Sequence, residues 1–210
     1  MKGTFLPVCV LLFAAGIVPA RGGPGPGQER PCRVPVSKSP AVRGLRLGMS
    51  AAEVLALFGR GDDAQLRARL EGDKGPPRYG VGNATFTVSE HPGAKGLAGV
   101  RSVSVNLFDG RVFSFYIYYD GPPQTLIEPW EHVDQLIEKV AKAYNLPGAS
   151  AWSPADTHQR KELSCDGFTV TADVGSNCCP TLALQSTYPK EQIEARTRAA
   201  REKVREGFVP

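Results

Sequence analysis

Residues 101–119 read RSVSVNLFDGRVFSFYIYY, and the way this stretch folds back on itself decides the architecture. Asp109-Gly110 between two runs rich in β-branched and aromatic residues is a strong short-range hairpin signal. A plain two-residue turn creates a conflict. It places Phe113 and Phe115 on the face that carries Ser104 and Asn106, with Val103, Val105 and Leu107 on the other. Strand side chains alternate with period two, so one extra residue in the turn or ladder brings the two apolar rows together. The stretch therefore predicts a bulged or longer turn; the alternative is a sheet covered on both sides. Phe113, Phe115, Ile117 and Tyr119 then share one face, with Tyr116 and Tyr118 on the other. With the first row in the core, those two tyrosines form a surface of the amphipathic kind common in interfaces. The competing reading packs a helix over them.

Upstream, Ala84, Phe86 and Val88 alternate with Thr85, Thr87 and Ser89, the period of a half-buried strand over 84–89. Residues 42–59, VRGLRLGMSAAEVLALFG, carry a helix marked at both ends. Ser50 and Glu53 have capping-box spacing and Met49 can staple to Val54. Gly59 suits the left-handed position that closes a helix, so the segment predicts a helix over 51–58. Asp62 or Asp63 caps a second helix through Leu66 and Leu70, ending near Gly72.

Downstream, Val133, Leu136, Ile137, Val140, Ala141 and Tyr144 lie on one stripe, predicting a helix over 129–145. Pro129 fits its first position, and Pro147 ends the segment. Strand-like segments follow near 161–174, interrupted at Asp166-Gly167, and near 181–187. A charged helix over 189–206 closes the chain. Its thin stripe of Ile193, Ala200 and Val204 either packs weakly on its own domain or mediates association. The order is two helices, three strands, a helix, two or three strands and a helix. Segregated hairpins with few crossovers indicate an α+β fold, with antiparallel sheet packed against helices. Helix followed by antiparallel strands occurs twice, which allows two fused helix-plus-sheet halves.

The N-terminus reads as an export signal. Lys2 supplies a positive start, residues 5–18 are uncharged and apolar, and Val18-Pro19-Ala20 offers small residues for cleavage. The run is shorter than the roughly 20 residues that span a bilayer. Removing residues 1–20 from the 210 leaves 190, starting at Arg21. The next stretch, RGGPGPGQERPCRVPVSKSP (residues 21–40), is Gly- and Pro-rich and reads as a flexible leader before an α+β domain over 41–188. Net charge falls from +4 to +3 with the loss of Lys2. Acids are interspersed with bases, so the basic stripe of a nucleic-acid binder is missing.

The exported chain carries Cys32, Cys165, Cys178 and Cys179. An even number in an oxidising compartment predicts disulfides, with three possible pairings. Adjacent Cys178 and Cys179 would form a strained ring if bonded together, so each can instead reach Cys165 or Cys32. The alternative is a thiol-dependent or metal-binding cluster of Cys165, Cys178 and Cys179, with Asp156 and His158 as a relay. Yet C-x-x-C and familiar zinc spacing are missing. So are the G-x-S-x-G elbow, H-E-x-x-H, the P-loop and the dinucleotide fingerprint. The sequence thus predicts no catalytic residue, metal ligand or cofactor. Asn83-Ala84-Thr85 matches the N-glycosylation sequon.

Leu47, Gly48, Met49 and Ser50, followed by Val54 and Gly59, resemble the opening of SmpA/OmlA (BamE-like) domains. In those, a Leu-Gly-Met-Ser/Thr tetrad caps a short helix. The resemblance implies a small α+β module, similar also to the β-lactamase-inhibitor-protein fold, that binds other proteins in the envelope or outside the cell. The chain departs from such lipoproteins in lacking their lipidated cysteine. With Leu146-Pro147 after the long helix, Cys165-x-Gly167-Phe168 and the Phe208-x-Pro210 ending, the whole also looks like an uncharacterised group of exported bacterial proteins. The expectation is a periplasmic or secreted, non-catalytic protein with an envelope or extracellular protein as partner, engaged through Tyr116 and Tyr118.

Overall fold

Asp109 and Gly110 turn the chain with φ of 49° and 75°, the left-handed pair that a two-residue hairpin requires. They do so in the computed structural model, which describes residues 32–72, 80–91, 96–120, 132–156, 159–175 and 179–207. The flanking strands β2 (Val100–Phe108) and β3 (Arg111–Tyr119) resolve the facing conflict by bulging. Leu107 opposes Val112 while Asn106 opposes Ser114, which leaves Phe113 as the extra residue. A second irregularity, with Val100 opposite Tyr119 but Ser102 opposite Tyr118, leaves Arg101 extra on β2. The two bulges hold Val100, Val103, Val105 and Leu107 on the same side as Val112, Phe115 and Ile117, all buried.

The other strands are β1 (Val81–Thr87), β4 (Ser153–Pro154), β5 (Arg160–Cys165), β6 (Phe168–Asp173) and β7 (Thr181–Ser186). All join one seven-stranded sheet in the order β1-β2-β3-β7-β6-β5-β4, and each pairing is antiparallel. β3 and β7, each closing a three-stranded meander, lie side by side. The fold is therefore α+β, with the two halves fused through one central strand pairing.

Among the described residues four α-helices accompany the sheet: α1 (Ala51–Leu57), α2 (Ala64–Glu71), α3 (Val133–Tyr144) and α4 (Pro189–Glu206). The capping box forms as expected, with Glu53 N–H donating to Ser50 Oγ at 3.3 Å and Ser50 N–H donating to the Glu53 carboxylate at 2.8 Å. The carboxylate of Glu53 titrates below its ordinary value, chiefly through that backbone bond. At the far end Gly59 N–H reaches Ala56 O and Arg60 N–H reaches Leu55 O, a Schellman closure. Asp63, rather than Asp62, caps α2 by accepting from Leu66 N–H at 2.8 Å.

Val54, Leu55, Phe58 and Leu70 of the first two helices share one core with Leu136, Ile137 and Val140 of α3. Phe58 stacks on Phe86 of β1 with centroids 3.9 Å apart, and His91 meets both rings edge-on. Burying such a ring stabilises the fold by about 2–3 kcal/mol. Gly82 is required where α2 crosses β1, since a Cβ there would lie 2.0 Å from the Leu70 carbonyl oxygen. Among the described residues, no helix is long and apolar enough to cross a membrane.

Several expectations are corrected. β1 begins at Val81, because the close approach of α2 tolerates Gly82 in a strand, and residues 88–90 form a 3₁₀ turn instead of continuing it. α3 starts at Val133 with His132 as N-cap, and Pro129 lies outside the described residues. The leader is tied down from Cys32 onward. Cys32 is buried and bonded to Cys165, and Asp166 N–H donates to Val34 O at 3.1 Å.

Candidate functional site

Every residue that the strands give to the core cluster lies on one face of the sheet. The opposite face is polar, and pairing arranges it in rows across six strands. One row runs Asn83, Asn106, Ser114, Gln185, Thr169, Ser164. The next runs Thr85, Ser104, Tyr116, Ala183, Thr171, Glu162. A third holds Thr87, Ser102, Tyr118, Thr181, Asp173 and Arg160. Charge enters these rows only on β5 and β6, so the β1–β3 and β7 part is a field of hydroxyls and amides.

Tyr116 and Tyr118 stand on the interior strand β3 and are half-buried. Hydrogen bonds order the side chains beside them. Asn106 Nδ2 donates to Ser114 Oγ at 2.9 Å, and the Thr85 and Ser104 hydroxyls lie 2.9 Å apart. The field can therefore present fixed donors and acceptors around two amphipathic rings, which is binding chemistry. Tyr116 and Tyr118 were legible from strand alternation. Thr85, Thr87, Ser104 and Asn106 were legible in the same way, but their gathering with Thr181, Gln185, Thr169 and Thr171 around the two rings was not, because it depends on strand pairing.

α4 approaches this side at the hairpin end. Arg196 grips Asp109 with both guanidinium nitrogens, at 2.7 and 2.8 Å, and its guanidinium lies 4.6 Å over the Phe108 ring. That bidentate bond holds the Asp109 carboxyl below the usual carboxylate range. A Cβ on Gly80 would collide with both partners. Of the expected stripe on α4, Ala200 is buried while Val204 is 68% exposed.

Cys32 and Cys165, 133 residues apart, form a disulfide. This selects among the pairings and corrects the expectation that Cys178 or Cys179 reaches either of them. Cys179 is also disulfide-bonded, and Cys178 lies outside the described residues. With Cys165 and Cys179 both oxidised, neither offers the thiolate on which nucleophilic or metal-ligating chemistry rests. His158 lies outside the described residues. Asp156 pairs instead with Arg160 at 3.1 Å. Asn83 and Thr85 of the sequon are exposed.

Comparison with protein-family models, with curated proteins and with solved structures finds no match to this chain.

Proposed function

We propose that this chain is an exported, non-catalytic protein that binds another protein of the envelope or extracellular space through the polar face of its sheet. The carrying observation is the charge-poor field of hydroxyls and amides around Tyr116 and Tyr118. Interface centres are depleted of charge and enriched in tyrosine, because a phenol supplies apolar area and a hydrogen bond at little entropic cost. The Cys32–Cys165 disulfide accords with an oxidising compartment.

Size constrains the partner's footprint. With strands about 4.8 Å apart and about 3.3 Å per residue, the four-strand field measures roughly 14 Å by 13 Å, or about 190 Å². A standard interface uses about 800 Å² per partner, so the partner also covers neighbouring elements, with α4 nearest at the hairpin end.

The test places a photo-crosslinking residue at Tyr116 in cells that export the chain, and measures the crosslinked partner's affinity for the wild type and for the Tyr116→Ser/Tyr118→Ser variant. Loss of about thirtyfold or more in affinity is the expected outcome for a central pair. An unchanged partner and affinity in the double variant would end the sheet-face reading.

A further inference from the structure

Arg101 is the extra residue of the second bulge on β2, and its side chain leaves its own strand pair. It reaches past β3, which lies between β2 and β7, and its Nη1 donates to Cys179 Sγ at 3.4 Å. Bulges re-aim side chains, and here the re-aimed charge meets a sulfur. Cys179 is held in place around that contact. It is buried, its carbonyl accepts from Thr181 Oγ1 at 3.2 Å, and the next carbonyl, of Pro180, accepts from Tyr119 N–H at 2.9 Å.

The sulfur of Cys179 is oxidised, and the cysteine count leaves it one partner. The chain has five cysteines. Cys9 lies within the export signal and, on the export reading on which this pairing rests, leaves with residues 1–20. Cys32 and Cys165 hold each other. Of the exported chain only Cys178 remains to bond Cys179.

A bond between sequence neighbours closes a ring through a single peptide unit. Adjacent Cα atoms are at most about 3.8 Å apart, short of the roughly 4.4–6.8 Å that disulfides favour. Such a bond is opened more readily than an unconstrained one. Cys32 and Cys165 give the contrast, with Cα atoms 4.5 Å apart and 133 residues between them in sequence. Arg101 adds a direction to the opening. A thiolate left on Cys179 lies beside a guanidinium, which favours the charged form and makes this sulfur the better leaving group.

We propose that Cys178 and Cys179 form a vicinal disulfide that acts as a redox site, accepting two electrons from a dithiol. One thiolate of the dithiol attacks Cys178 Sγ, the S–S bond breaks, and its electron pair leaves on Cys179 Sγ. The second thiolate of the dithiol then attacks the mixed disulfide at its own sulfur and closes the reductant to a disulfide. Cys178 leaves and takes one of the dithiol's two protons. The other proton goes to water, since Cys179 stays a thiolate against Arg101.

The chain exported through its own signal is first weighed intact and mapped by proteolysis without reduction. The expected map joins Cys178 to Cys179 within one peptide of a chain that starts at Arg21. Dithiothreitol is then the probe, with free thiols alkylated at intervals and located by mass. Cys178 and Cys179 should be labelled about tenfold faster than Cys32 and Cys165. Arg101→Gln should slow that labelling about tenfold and leave the Cys32–Cys165 pair unchanged, with Arg101→Lys restoring most of the rate. A free Cys178 in a chain that starts at Arg21 would overturn the pairing while export stands. Cys179 bonded to a retained Cys9 would overturn both. Labelling of the two pairs at equal rates, or an Arg101→Gln rate equal to the wild type's, would overturn the redox site.

Discussion

The two faces of the sheet are made by the same strands, residue for residue in alternation, yet they have opposite characters. On β3, Phe115 and Ile117 are fully buried in the core that the helices cover, while Tyr116 and Tyr118 stand half-buried among hydroxyls. On β6, Val170 and Ala172 are buried against Thr169 and Thr171 on the other side. A sheet needs one apolar face to fold, and a second would expose apolar surface unless another layer covered it. Here the helices cover the apolar face, and the proposed binding surface is the polar one. The bulges at Phe113 and Arg101 defend that division where the sequence would otherwise cross it.

The comparison is broken most severely by Phe115→Ala beside Tyr116→Ala. The first should cost about 3–5 kcal/mol in urea denaturation, since it leaves a cavity in a fully buried site. The neighbouring substitution on the polar face should cost less than about 1.5 kcal/mol while weakening partner binding. Equal costs would mean that another layer covers the second face.

A smaller effect is expected from Cys165→Ser. Opening a crosslink between residues 133 apart should lower stability by about 3 kcal/mol, because the unfolded chain regains loop entropy. Chemical denaturation of the oxidised wild type and the variant measures it. The sheet's polar face should keep its partner affinity once the variant is folded, since Cys165 pairs into the ladder opposite Phe168 on the covered side.

The mildest test uses alkali. Tyr119 has its phenol raised from 10.0 to about 12 in the fold, so the folded state favours its neutral form. Stability from this group is therefore complete below about pH 10 and is lost as the pH rises from about 10 to about 12. Denaturation midpoints across that window should fall less steeply in Tyr119→Phe, and phenolate absorbance should lose its latest step. An unchanged slope would mean that Tyr119 is solvated.

Much of this architecture is legible in the chain because it depends on neighbours in sequence. The capping box at Ser50 and Glu53, the closure at Gly59, the stripe of α3 and the Asp109-Gly110 turn are set by contacts within a few residues, and all stand where the spacing places them. Even the need for a bulge follows from counting along residues 101–119. Tyr116 and Tyr118 were assigned to the face opposite Phe115 by the same alternation, and the structure puts them there.

The rest was decided by contacts that local chemistry does not encode. The pairing of β3 with β7 joins residues far apart along the chain, and nothing in either strand names the other. Cys32 reads as part of a loose tether until the Cys165 end of β5 is brought to it. The grip of Arg196 on Asp109, and the reach of Arg101 to Cys179, likewise gather segments with no common sequence signal. The chain by itself determined its caps, turns and strand faces, since those rest on short-range hydrogen bonding and periodicity. Only the tertiary structure decided the strand order and the disulfide partner of Cys32, because loop closure and packing select them among many pairings that the local sequence would equally allow.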